Sequence, residues 1–460
     1  MTAAARLRRS VPRRPLAVLL VAVAFAAVSQ SLAPKGLPAS RPDPVDIDAP
    51  LSIDAAVPVA TIDDVERIRA NIAFWSDRAR RSPRDFISAT RWAESEIELA
   101  RATGDVEAYV IADEAITAAL AVDAAYAPAL GDRGVVLVAL HRFREAVEHA
   151  SAVLADRPDD PVALGTLGDG ALELGDLVTA RTAYQRLATV DPSAAALVRQ
   201  GHLAFIGGDP ATALDAARRA VTAAMDEGAI GPALAWYHYQ LGEVSTATGD
   251  AAAGREAYTA ALAADPSSWL ARSGLARLAA ADGDLDVAIG YLDAAIARVP
   301  LPEFHARRAD LADLRGGPGD AARSADDRAT VLAIAQLGGV AASVRDRQLS
   351  LYLASHGLQP ERALRLAEAD IALRKDVYGY DALAWALLAN GRSTEAQQAM
   401  DQALASGTQD ARLRYHAGMI AIAEGHVAIG RERLQAALDL DPTFDAWDVA
   451  RIRAILSSAP

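Results

Sequence analysis

Apolar and small residues recur along this chain in two registers at once. Between residues 235 and 302 they return every three or four positions, the period of a helix with one buried face. The whole pattern then returns after 34 residues. Leu241-Gly242 becomes Leu275-Ala276, Gly249-Asp250 becomes Gly283-Asp284, Gly254 becomes Ala288, Tyr258 becomes Leu292, Ala261 becomes Ala295 and Pro266 becomes Pro300. The spacing predicts one helix over about 235–247 and a second over about 251–264, then the same pair again.

Each recurring residue has a physical task. Gly242 and Ala276 carry little or no side chain, so helix backbones are expected to approach closely there. Gly249 and Gly283 stand where a helix ends on a positive φ, which glycine adopts without strain. Asp250 and Asp284 follow, placed to cap the next helix by accepting from its free amides. Pro266 and Pro300 cannot continue a helix and separate one unit from the next. Leu241, Tyr258 and Ala261 fall on the face that packs helix on helix.

The same marks extend outward from this pair. The unit 127–160 has Gly134, Ala146 and Pro158, and 161–194 has Leu167-Gly168, Gly175-Asp176, Ala180, Tyr184, Leu187 and Pro192. The next unit has Gly201, Gly208-Asp209 and Ala213, followed by six extra residues near 225–232. Downstream come a loose turn at Gly316-Gly317-Pro318-Gly319, a degenerate unit near 341–376, and regular units at 377–410 and 411–444. Before the regular array, Ile62, Val65, Ile68 and Ile72 share a face, and Trp92, Ile97 and Leu99 precede a Gly104-Asp105 turn. This set of leucine-glycine, alanine, aromatic and proline marks resembles the tetratricopeptide repeat family over about residues 84–444. The resemblance implies an all-α, right-handed α-solenoid of about ten helix–turn–helix units, spanning 61–442, with 443–460 as a terminal capping helix. It also implies a protein or peptide partner held on the concave face, which the first helix of each pair lines.

The ends and the composition narrow the reading. Arg6, Arg8, Arg9, Arg13 and Arg14 precede the apolar run 16–28, and small or polar residues follow, the order of a secretory signal. Residues 1–31 are therefore expected to direct export or to remain as an anchor, and membrane association is expected only through them. Six prolines between Pro34 and Pro58 make 32–60 a semi-rigid linker. The net charge of −14 argues against a nucleic-acid backbone as partner. With no cysteine, disulfides, thiolate metal sites and a cysteine nucleophile are excluded.

No catalytic constellation emerges. The eight histidines are scattered over separate units, and His141 and His149 do not lie one turn apart. Glycine pairs lack the lysine of a phosphate loop, and no Gly-x-Ser-x-Gly is present. Asp105, Asp176, Asp209, Asp250 and Asp284 sit one per turn, too far apart in the chain to converge on one ion, and read as caps. No cofactor or metal is expected. Projecting the repeats onto the family pattern puts Trp236, Tyr239, Arg277, Tyr352, Asp381, Trp385 and Tyr415 on the groove. There they serve either as anchors for a partner or as packing between units. The function expected is an exported interaction scaffold of the cell envelope. The alternative is a small-molecule binder or enzyme with a pocket in 316–360, built on Arg345, Asp346, Arg347 and His356.

Overall fold

A computed structural model describes residues 64–336 and 346–458. The expected export segment, 1–31, and linker, 32–60, lie outside the described residues, as does Arg345. Among the described residues there are 22 α-helices and no strand. They follow as α1 (Asp64–Arg81), then the pairs α2 (Phe86–Thr103) and α3 (Val106–Val122), α4 (Ala127–Ala139) and α5 (Phe143–Asp156), α6 (Pro161–Glu173) and α7 (Leu177–Val190), α8 (Ala194–Ile206) and α9 (Pro210–Asp226). The array continues with α10 (Gly231–Ala247) and α11 (Ala251–Ala264), α12 (Trp269–Ala281) and α13 (Leu285–Arg298), α14 (Pro302–Arg315) and α15 (Asp320–Ile334). It ends with α16 (Asp346–Ser355) and α17 (Pro360–Leu373), α18 (Val377–Ala389) and α19 (Ser393–Leu404), α20 (Ala411–Ala423) and α21 (Val427–Leu440), and the unpaired α22 (Ala446–Ser457).

The turn between helices works as its residues dictate. Gly249 has φ 86°, and the Asp250 carboxylate that follows accepts from the Ala253 amide at 2.9 Å. Asp176 and Asp209 accept from Thr179 and Thr212 amides at 3.0 Å. Asp284 departs from the expectation: it occupies the same cap position without a side-chain bond to the helix. Gly242 also acts differently from the close backbone approach expected. Its missing side chain leaves room for a ring, since a Cβ there would overlap Tyr258 of the paired helix. Gly168 takes Tyr184 in the same way, and Gly418 takes Leu434. The six extra residues near 225–232 form no bulge. They lengthen α9 and α10 to 17 residues each, against 14 in α11 and α13.

The first helices of the pairs form an inner layer and the second helices an outer one. Every residue of α8, α12 and α18 is buried or half-buried, whereas α7, α9, α13 and α19 each keep an exposed face. The cause is the way the array closes on itself. The α6–α7 turn meets the α17–α18 loop, where a Cβ on Gly175 would collide with the Lys375 carbonyl. The α8–α9 turn meets the α19–α20 loop at Gly208 and Gly407, and the α10–α11 turn at Gly249 meets the Leu440 carbonyl at the end of α21. Side chains join across the same line: Arg374 donates to Glu173, 201 residues away in sequence. The solenoid thus makes a full superhelical turn and lays the next turn on its own edge. One apolar core crosses the boundary, with Leu172, Leu203 and Ile206 from the first turn and Val377, Leu387 and Ala403 from the second.

The last helix does more than cap an end. Besides α21, α22 packs on α12 and α14. Ala446 joins the cluster of Trp269 and Phe304. The Trp447 ring stacks at 6.0 Å on His356 after α16, and Arg451 reaches the Ser355 carbonyl at 3.5 Å. In front of it, Asp441 lies 3.6 Å from the Arg277 guanidinium on α12. The expected terminal cap is a tie between the last unit and the inner layer of three earlier ones.

Candidate interaction surface on the inner layer

The inner layer brings the seven groove residues to one side of the solenoid but not into one site. Asp381 on α18 and Trp385 one turn later face Tyr415 and His416 on α20. His416 Nδ1 and the Asp381 carboxylate are 2.7 Å apart. The Trp385 ring stacks on His416 at 4.0 Å between centroids and lies 5.5 Å from Tyr415. Trp385 Nε1 donates to Ser355 Oγ at 2.9 Å. Asp381, Trp385 and Tyr415 are all buried, with Tyr415 at 0% exposure. Tyr352 is buried too, its ring 4.6 Å from His356. For these four the groove position carried two readings, anchor or packing, and their burial matches packing. They are closed in where the inner helices α16, α18 and α20 and the last helix α22 meet.

A second cluster sits on α10 and α12. One Arg277 nitrogen donates to Glu243 at 2.8 Å, to Thr246 Oγ1 at 3.1 Å and to Tyr258 OH at 2.7 Å. Tyr258 also donates to Glu243. Tyr239 lies 6.0 Å from Tyr258, and burial, then Glu243, pushes its phenol above the usual range. Burial opposes the Arg277 charge, but Glu243, Tyr258 and Asp441 outweigh it and hold the guanidinium protonated. Trp236, on the same helix as Tyr239, packs edge-on against Tyr237 at 5.0 Å in a separate cluster. Trp236 and Tyr239 are half-buried and Arg277 keeps 11% of its side chain exposed, so among the seven these three keep the most accessible surface.

Of the polar candidates in the 316–360 region, the described Arg347 and His356 do not converge, and the Asp346 side chain lies outside the described residues. Arg347 donates to Asp370 and Asp376, both at 2.8 Å. His356 lies at the other end of α16, 2.7 Å from Asp310. No group of three or more metal-ligating side chains occurs among the described residues.

Reading the sequence missed the partners that fill the inner layer: His416, Glu243, Asp441, Asp169, Arg199, Glu173 and Arg374. Arg199 is fully buried and pairs with Asp169 through bonds of 2.9 and 3.0 Å, and Tyr184 donates to the same carboxylate at 2.8 Å. A signal for some of them existed. Glu243 and Arg277 are 34 residues apart, as are Ser273 and Arg307, which bond at 3.0 Å. Complementary groups at one repeat's spacing mark a ladder between equivalent inner positions. The contacts across the turns carry no such period.

A paired-helix array with small-residue seats and glycine–aspartate turns defines a class, the α-solenoid that presents an inner helical layer to protein partners. The tetratricopeptide repeat family model matches residues 132–193, 166–228, 233–301 and 382–443. The chain belongs to the tetratricopeptide repeat family. Three solved structures are among those similar to it. The human IFIT1 dimer with PPP-AAAA is 13% identical, covering 81% of this chain and 87% of that one, with a TM-score of 0.43. The Cut9–Hcn1 hetero-tetramer of the APC/C is 13% identical over 84% and 82%, TM-score 0.37. PilW, a type IV pilus biogenesis factor, is 18% identical over 47% and 96%, TM-score 0.39. No curated protein matches the sequence.

Proposed function

We propose that this protein is an exported scaffold that holds a segment of a partner protein against the inner layer at α10 and α12, without catalysing a reaction. The observation that carries the reading is the partly exposed set Trp236, Tyr239 and, at 11% of its side chain, Arg277, an aromatic–arginine combination of the kind that anchors interfaces. Its arginine already holds Glu243, so a partner's carboxylate would compete for a charge-assisted bond rather than find a vacant one. The net charge of −14 favours a partner other than nucleic acid. Export rests on the arginine-rich start and apolar run of residues 1–31, with service in the cell envelope as its consequence.

Two measurements test these halves separately. A reporter enzyme that works only outside the cytoplasm, fused after Pro58, is expected to become active. Its silence, with the fusion expressed, removes the export half. Proteins captured by the full chain from the envelope should be lost or weakened by about 2 kcal/mol in Trp236→Ala. Unchanged capture by Trp236→Ala and Arg277→Gln removes this surface from the reading.

A further inference from the structure

The boundary between the two superhelical turns is held by a small, buried group of ionisable side chains. From the first turn come His141 in the α4–α5 turn, Glu173 at the end of α6 and His202 on α8. From the second come Arg347 on α16, Asp370 on α17, and Arg374 and Asp376 in the α17–α18 loop. Arg374 is the link: it donates to Asp370 at 2.6 Å on its own turn and to Glu173 at 3.3 Å on the other. Its guanidinium also lies 5.9 Å from the centre of the Phe143 ring at the start of α5. Arg347 closes the group by donating to Asp370 and to both oxygens of Asp376 at 2.8 to 3.0 Å.

His141 is unusual in its backbone as well as its surroundings. It has φ 57°, in the place where Gly175, Gly208, Gly249 and Gly283 take the left-handed conformation in other units. A non-glycine residue there costs free energy. The imidazole is buried and stacked on Phe143 at 5.1 Å. Thus a titratable ring occupies the edge that touches the second turn, at a position where the other repeats have no side chain.

We propose that this boundary is a clasp that mild acid unlocks, letting the two turns part while the helical pairs stay folded. Two guanidiniums face two aspartates in the closed group, and Glu173 adds a further acid. A proton on His141 places a third cation beside Arg374 and Arg347 in a buried site, where charges repel strongly. Burial, then Arg374 and Arg347, hold the His141 imidazole well below its usual range. Burial holds that of His202 down to about 4, against the opposing pull of Asp376. Both rings are neutral in the closed form, so they stabilise it fully above about pH 6.5, the ordinary imidazole value. That contribution is lost as the pH falls from there, for His202 toward about 4. Glu173 acts in the other sense. Burial and Asp376, against Arg374 and Arg347, raise its carboxyl to about 7, so its contribution to closure grows as the pH falls from 7 toward the ordinary carboxyl value. Two imidazoles outweigh one carboxyl, so the net effect below about pH 6.5 is opening. The proposal does not depend on what the inner layer binds.

Small-angle scattering of the full chain, with far-UV circular dichroism on the same samples, tests it. On lowering the pH from 7.5 to 5, the radius of gyration should rise and return on neutralisation, while the helical signal is kept. His141→Asn with His202→Gln should stay compact over the same range; asparagine tolerates the left-handed backbone at 141. Three outcomes overturn the proposal: a radius that does not change in the wild type, expansion in step with loss of helical signal, or equal expansion in the double variant. If that variant does not fold, His202→Gln alone serves, and should shift the opening to lower pH; an unshifted opening counts against the clasp.

Discussion

At the scale of the residue, two aspartates in equivalent turns separate position from interaction. Asp250 bonds the Ala253 amide, whereas Asp284 stands at the corresponding cap without such a bond. Asp250→Ala is therefore expected to lower stability by about 1 kcal/mol, and Asp284→Ala to change it by no more than a few tenths. Urea unfolding of the two variants measures both. The same scale separates the tryptophans. Trp385 is buried against His416, Tyr415 and Ser355. Trp385→Ala should cost roughly 3–5 kcal/mol through the cavity and the lost bond, and Trp236→Ala clearly less, since Trp236 is half-buried. Equal losses in thermal melts would contradict this division.

At the scale of the element, α22 is a tie as well as a cap. Removing residues 443–460 takes away Trp447 from His356 and Ala446 from the Trp269–Phe304 cluster. It exposes apolar surface on α12 and α14 as well as on α21. The truncated protein should aggregate on concentration and show faster amide exchange in α12 and α14, helices more than a hundred residues away in sequence. Exchange that quickens only in α20 and α21 would restore the simple end-cap role. The regular pairs, by contrast, behave as their own residues direct: the Tyr258 ring over Gly242 is decided within one unit.

At the scale of the whole molecule, contact between turns alters how the array should unfold. A linear solenoid has only neighbour contacts and can melt unit by unit. Here one core joins α6 and α8 to α18 and α19. At neutral pH, unfolding of the first and second turns should therefore coincide. Urea titrations followed by fluorescence of single-tryptophan variants that keep either Trp92 or Trp385 check this. Midpoints that differ clearly would show the turns to be energetically independent.

The sequence by itself determined the fold and the repeat. Helix pairs, glycine turns and the aspartate caps at 176, 209 and 250 are set by interactions within one unit or between neighbours, so they recur with the period and can be read from it; Gly168 and Gly242 recur the same way, but that a tyrosine ring fills the space at each is a matter of packing. The ladder of Glu243 and Arg277 belongs to the same kind, its two residues one repeat apart. What tertiary structure alone decided is the closing of the inner layer. Asp381, Trp385 and Tyr415 lie on inner-layer helices, but whether such a side chain meets solvent depends on superhelical curvature. That curvature is the sum of small rotations at every joint. The bond of Arg374 to Glu173 spans 201 residues and answers to no repeat. It exists because those rotations bring one edge of the array back onto the other, a distance no local pattern encodes.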